Sequence, residues 1–355
     1  MSIQKVVEEL TQKKKAALES AGGLAAPSAK PTSFLDMTKV PEVTNTVSYL
    51  QLFGETLPDG TNPLYPAPPE KWDHPEDIPE ADPNWVLDHK TLPLTAAAVL
   101  YGHNALMIGP PGTGKTKDVR EVCARAKIPY YRFSGMEGLE PADLVGQTLL
   151  LGGETKHVDG AIMKAVRHGG VWAYDEPFKT PPGTNMAVQW LAEPSKGDRA
   201  VMLYGHENKD EIKVVAHPEF RMFLCDNARG TGDNMDIYAA TNVQDASFIN
   251  RMQYKVRKGY MDYDVEVEAI QKIYPWVLKP LAERMVRLAG LMRQAWEQGS
   301  IEMPFTFREL ETWSEIMSEN DGNIKDALFA CYGNMLEDGD EKQILGKAIL
   351  DVGLE

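Results

Sequence analysis

Eight consecutive residues, Gly109 to Thr116, read GPPGTGKT and follow the apolar run Ala105-Leu106-Met107-Ile108. A strand that enters a glycine-rich turn and then a helix leaves a nest of backbone N–H groups, which suits the phosphates of a nucleotide. Lys115 would reach the β- and γ-phosphates, and the Thr116 hydroxyl would hold Mg²⁺. The stretch Gly109, Pro110, Pro111, Gly112, Thr113, Gly114, Lys115, Thr116 and the following Lys117 is the expected nucleotide-binding set. Downstream, Val171 to Glu176 reads VWAYDE. Its apolar residues predict a buried strand that delivers two carboxylates at its end. Asp175 is placed to bind Mg²⁺ through water, and Glu176 to polarise an attacking water. A lone Asp-Glu after an apolar run reads equally well as a surface turn; the phosphate loop upstream decides against that.

Three more residues complete the expected catalytic set. Asn227 follows the apolar run Phe220 to Cys225 and Asp226. A polar side chain between the two motifs can orient the hydrolytic water; an ordinary Asx-turn is the plain alternative. Arg251 precedes the last strand candidate. An arginine there can enter a neighbouring subunit's site and neutralise charge on the transferred phosphoryl group, worth roughly 10³–10⁵ in rate. Arg229 and Arg257 are rivals for that role. Arg308 stands in the first turn of a helix that Thr306 and Glu309 cap, where a cation opposes the helix dipole. A nucleotide phosphate would compensate for it. The metal set is Thr116 and Asp175; the catalytic set is Glu176, Asn227, Arg251 and Arg308.

The elements that must position these groups can be read from periodicity. Thr95 to Leu100 predicts a helix. A strand to Ile108, the phosphate loop and a helix to about Ala126 follow. Strands are expected at Ile128 to Phe133, Gly170 to Tyr174, Phe220 to Cys225 and Tyr254 to Tyr260. Strands alternating with helices predict a parallel sheet with helices on both faces. Lys115, Glu176 and Asn227 all fall just past strand carboxyl ends, where such sheets bind ligands. Two hairpins are expected, Leu149 to Val158 with Gly152-Gly153 at its turn, and Ala200 to Val215. They read either as solvated surface or as pore-lining loops that carry force to a partner. After Asp262 the pattern is helical. Leu278, Leu281, Met285, Leu288, Leu291 and Met292 form a core-facing stripe. Further helices start near Thr306, Ile324 and Glu341.

The 355 residues are enough for two or three domains. We divide them into an N-terminal helix and irregular arm (1–77), a nucleotide-binding α/β domain (78–262) and a helical lid (263–355). Met1 to Ser20 reads as an amphipathic helix with mixed charges, unlike a secretory signal, and no run approaches the 18 apolar residues of a membrane span. The arm either wraps a neighbouring subunit or is a flexible leader. A formal net charge of −15 argues against nucleic acid and anionic lipid as partners. Cys123, Cys225 and Cys331 form no C-x-x-C pair, which predicts reduced thiols in a cytoplasmic protein rather than zinc or disulfides.

Taken together, these residues resemble the AAA+ ATPases of the helix-2-insert group, which includes MoxR-like ATPases and the ATPase subunits of magnesium and cobalt chelatases, in particular the CobS-type subunit of aerobic cobaltochelatase. The resemblance runs from IPEADPNWVLD at Ile78 through GPPGTGKT and Asp143-Leu144-Val145-Gly146. It continues in PEFRMFLCDNARGTGD and Phe305-Thr306-Phe307-Arg308. It implies Mg-ATP as cofactor, Asn227 as sensor 1, Arg251 as arginine finger and Arg308 as sensor 2, acting in its own or a neighbour's site. It also implies a ring, expected to be a hexamer, and a von Willebrand A-domain partner protein. The chain departs from the group at Asn250-Arg251-Met252, at Thr306-Phe307-Arg308 and at Asp226, where a small residue is usual. The expected function is remodelling of a partner protein. A chelatase motor and a nucleotide-gated scaffold with slow turnover are the alternatives; a DNA-translocating motor is disfavoured by charge.

Overall fold

The computed structural model describes residues 45–204, 206, 208–230, 242–319 and 323–354. The helix read over Met1 to Ser20 and the first half of the arm lie outside them. A short strand pair, β1 (Thr46–Ser48) and β2 (Leu64–Pro66), brackets helix α1 (Tyr49–Phe53). Ser48 and Gln51 form a reciprocal cap at its start, and Gly54 ends it in the left-handed conformation. Within the arm, Thr46 to Phe53 and Leu64 to Pro66 therefore have regular structure, joined by an irregular stretch over 54–63. Tyr49, Leu52, Phe53 and Tyr65 are buried against the α/β unit.

Helix α2 (Leu92–Leu100) precedes β3 (Ala105–Ile108), and helix α3 (Lys115–Ala126) leads to β4 (Tyr130–Ser134). Helix α4 (Pro141–Val145) opens the first hairpin, β5 (Gly146–Leu151) and β6 (Glu154–Asp159). Gly152 and Gly153 both have positive φ, the geometry of a tight two-residue turn. Helix α5 (Met163–His168) then feeds β7 (Gly170–Asp175). After α6 (Pro182–Met186) comes the second hairpin, β8 (Ala200–Met202) with β9 (Lys213–Val215). Strand β10 (Phe220–Asp226), helix α7 (Ala246–Asn250) and β11 (Tyr254–Arg257) complete the α/β part.

Five of these strands form one parallel sheet in the order β11-β3-β10-β7-β4. Strand β10 is buried along its whole length, as a strand covered on both faces must be. Side chains alternate between two cores. Leu106, Trp172, Tyr174, Met222 and Leu224 join one. Ala105, Met107, Val171, Phe223 and Cys225 join the other, with α2 and α3. Cys123 and Cys225 are buried and Cys331 partly so, all as free thiols that burial pushes up to about 12.

Among the described residues, five α-helices follow: α8 (Tyr263–Ile273), α9 (Lys279–Glu297), α10 (Phe307–Glu319), α11 (Ile324–Cys331) and α12 (Asp340–Val352). Met285, Leu288 and Met292 of the predicted stripe lie in their shared core, whereas Leu278 is exposed just before α9. Arg293 on α9 holds Glu266 on α8 through two bonds of 2.7 and 2.6 Å and donates to the Phe305 carbonyl at 2.7 Å. That fork fixes the approach to α10. No helix of the described residues is long and apolar enough to cross a membrane.

Candidate active site

Three strand ends meet at one place. Strand β3 ends at the phosphate loop, β7 at Asp175 and β10 at Asp226, and the parallel register puts all three on one edge. Gly109 N donates to the Asp226 carbonyl at 3.2 Å and Glu176 N to the Cys225 carbonyl at 2.7 Å. The loop itself needs its glycines. Gly112 and Gly114 have φ of 69° and 80°, where other residues are strained. A Cβ on Gly109 would lie 1.9 Å from the Lys258 carbonyl oxygen.

A cleft of about 540 Å³ opens above these ends. Pro111 to Lys117 line it, with Asp175, Glu176, Asn227 and Arg308. Gly109 and Pro110 lie behind the loop, and their carbonyls accept from Lys115 Nζ at 2.8 Å each. Lys115 Nζ also donates to Asn227 Oδ1 at 2.8 Å. Burial pulls the Lys115 ammonium below its usual range, against the nearby acidic groups. An arriving polyanion would stabilise its charge. Thr116 Oγ1 donates to Asp175 Oδ1 at 2.9 Å. A hydroxyl and a carboxylate set side by side are hard oxygen donors of the kind Mg²⁺ takes, so the residues fit that ion.

Glu176 has φ 51°. A non-glycine residue in that region carries strain that clusters at functional sites. Its carboxylate pairs with Lys179 at 2.8 Å. Asp226, the departure noted in sequence, has a structural use. Its Oδ2 accepts from Phe178 N at 3.0 Å and its Oδ1 from Ala228 N at 2.9 Å. It thereby ties the turn after Glu176 to the turn carrying Asn227, and burial pushes its carboxyl up.

Arg308 lies on α10, whose start is capped as expected: Arg308 N donates to Thr306 Oγ1 at 3.2 Å, and Thr306 N to the Glu309 carboxylate at 2.8 Å. A Cβ on Gly112 would lie 2.2 Å from Thr306 Cβ, so the phosphate loop and the lid's capping residue touch. Arg251 does not line this cleft. It pairs with Glu193 at 2.7 Å and donates to the Ser247 carbonyl at 2.8 Å. Arg229 and Arg257 also lie outside it.

Sequence reading missed several lining residues. Lys258, just past β11, is buried and pairs with Asp118 on α3 and with Asp88 at 3.1 Å. Trp85 Nε1 donates to Asp118 at 3.3 Å. Burial works against the Lys258 charge, but the two carboxylates overcome it and raise its pKa. The same strand-end rule that singled out Asn227 would have found Lys258. Arg132 on β4 donates to Asp175 Oδ2 at 2.6 Å, and Glu311 on α10 lines the lid side; neither belongs to a spaced motif.

A five-stranded parallel sheet with a phosphate loop at its edge, acidic groups on the neighbouring strands and a helical lid defines a P-loop ATPase of the AAA+ class. Residues 104–246 match the family model for the AAA domain of the dynein-related subfamily. It is 26% identical to the aerobic cobaltochelatase subunit CobS of Sinorhizobium sp. over 79% of this chain and 82% of that protein. It is 36% identical to NorQ of Paracoccus denitrificans over 34% of this chain and 43% of that one. Among solved structures, a RuvB mutant chain from Thermotoga maritima aligns at TM-score 0.45 and 13% identity, covering 78% of this chain and 74% of its own.

Proposed function

We propose that the chain assembles into a hexameric ring, hydrolyses Mg-ATP at subunit interfaces and uses the cycle to remodel a partner protein, with residues 78–262 as the motor and 263–355 as the lid. The observation that carries this reading is the convergence of Lys115, Thr116, Asp175 and Asn227 from three strand ends on one cleft. Thr116 and Asp175 would hold Mg²⁺, which supplies charge neutralisation on the phosphates. Lys115 binds and orients the β- and γ-phosphates, Asn227 positions water, and Glu176 takes its proton after leaving Lys179. Arg251, remote from the cleft of its own chain, is supported as the residue given to a neighbour. Its Glu193 partner would hold it until a subunit docks. A von Willebrand A-domain protein is the proposed partner.

Glu176→Gln tests the assignment. Nucleotide affinity should stay within about twofold while turnover falls roughly 10²–10⁴-fold, the scale of general acid–base catalysis. Parent-rate hydrolysis by that variant would remove Glu176 as base. One relative is named as a cobaltochelatase subunit, which favours a second reading, a motor for metal insertion. Capture with the Glu176→Gln chain in ATP separates the two. A chelatase subunit in the trapped complex supports metal insertion, and a von Willebrand A-domain protein alone supports general remodelling.

A further inference from the structure

Within the cleft, Glu311 is the acidic side chain that the chemistry so far leaves unused. It stands one turn beyond Arg308 on α10, so Phe307, Arg308 and Glu311 share the helix face turned to the cleft. It is half-buried. Among the described residues none donates a hydrogen bond to it. Its nearest cationic neighbours, Lys117 and Arg308, act on it by charge without bonding, and Lys117 is engaged with Asp82 at 2.9 Å. Burial pushes its carboxyl upward.

Unlike Asp175 and Glu176, which pair with Arg132 and Lys179, this carboxylate has no bonded cation among the described residues, so phosphate would repel it. Its place along the cleft narrows what it does face. Lys115 and Thr116 mark the β- and γ-phosphate end. Lys117 follows directly, where the loop's backbone passes towards the α-phosphate, and Glu311 lies beside Lys117. The neighbouring part of a nucleotide is the sugar, whose vicinal hydroxyls are neutral donors. A carboxylate accepts two such donors at once, as acidic residues do for ribose in dinucleotide folds.

We propose that Glu311 reads the ribose hydroxyls of the bound nucleotide, making the lid helix selective for ribonucleoside over deoxyribonucleoside triphosphates. This rests on the nucleotide site proposed above. Because Arg308 and Glu311 share one helix face, phosphate and sugar would both draw the lid down.

The test is calorimetric titration of the full chain and of Glu311→Ala and Glu311→Gln with ATP, 2′-deoxy-ATP, 3′-deoxy-ATP and GTP in Mg²⁺. The parent chain should bind at least one deoxy analogue roughly ten- to a hundredfold more weakly than ATP, the scale of a hydrogen bond to a charged acceptor. Glu311→Ala should bring the three adenine nucleotides within about threefold of one another. Glu311→Gln, which keeps shape and one acceptor, should fall between. Equal affinities in the parent chain, or a preference that survives Glu311→Ala, would overturn the proposal while leaving ATP binding intact. A change confined to the ATP:GTP ratio would assign Glu311 to the base and overturn it too. If the parent chain binds none of the four, the nucleotide site itself is wrong.

Discussion

Single residues in the cleft divide into those announced by spacing and those announced only by space. Lys115, Thr116, Asp175 and Glu176 sit in strings whose order is dictated by one local turn, so their positions were legible in the sequence. Asn227 was legible because a buried strand must deliver its next polar residue to the same edge. Lys258 was open to the same rule and was passed over; its meeting with Asp118 and Asp88 was not legible, since the three come from distant segments and come together only once the sheet is built. Their cluster is nevertheless a strong determinant of stability. Lys258→Met leaves the buried Asp118 and the half-buried Asp88 without a cation, and removing one partner of a buried pair costs about 3–5 kcal/mol. Urea unfolding should show a loss of that size; a loss under about 1 kcal/mol would mean water reaches the cluster. The pH dependence follows from the same contacts. Burial pushes the Asp88 carboxyl up, but Lys258, together with hydrogen bonds from the Thr91 hydroxyl and the Lys90 backbone N–H, more than offsets it, leaving the pKa below its ordinary value; that of Lys258 lies above its own. The part of the stabilisation that Asp88 and Lys258 contribute is therefore whole between the unfolded values of about 3.9 and 10.4. It declines as acid protonates Asp88 through its lowered pKa, and as base deprotonates Lys258 through its raised one. Asp118 has the opposite sign: burial holds its carboxyl above the ordinary value in spite of Lys258, so its contribution falls as pH rises from about 3.9 through the raised pKa. Urea unfolding measured between pH 5 and 9 should therefore show a decline set by Asp118 alone, the Asp88–Lys258 contribution being level there.

At the level of elements, periodicity placed every strand of the main sheet to within two residues at its start, and both hairpins were visible, the first from the Gly152-Gly153 pair at its turn. The last strand stops at Arg257 rather than Tyr260, because its register with β3 runs out at Ile108, where the phosphate loop begins. What periodicity could not give is contact between elements. Gly112 is the example. Its positive φ could be guessed from the loop type, but its fit against Thr306 of the lid could not. Gly112→Ala would strain the backbone by roughly 1–2 kcal/mol and push the start of α10 away from the loop. We expect at least tenfold weaker ATP binding with the lid core intact, read by titration alongside tryptophan emission from Trp313, which is buried in that core. Unchanged affinity would mean that the loop and the lid move independently.

At the scale of the whole molecule, the cleft gathers the residues proposed to bind phosphate, hold metal and position water, but not Arg251. Turnover should therefore need two chains. Arg251→Ala and Lys115→Ala, each inactive alone, should regain a measurable share of activity when mixed, since one interface then carries both intact halves. Mixtures that stay inactive argue against action in trans. The first hairpin exposes Leu149, Leu150 and Leu151 beside its glycine turn, with Leu150 74% exposed. Leu150→Ser should leave stability within about 0.5 kcal/mol while weakening capture of the proposed partner by the Glu176→Gln chain in ATP; undiminished capture would remove the hairpin from that contact. The buried thiols lead elsewhere. Cys123 and Cys225 are fully enclosed and held far from ionisation at neutral pH, so an alkylating reagent can modify them only when the sheet's core opens. The unaltered chain thus carries its own clock. The rate at which these two sulfurs take up label, with and without ATP, would time how often the motor's interior breathes and how far a bound nucleotide holds it shut.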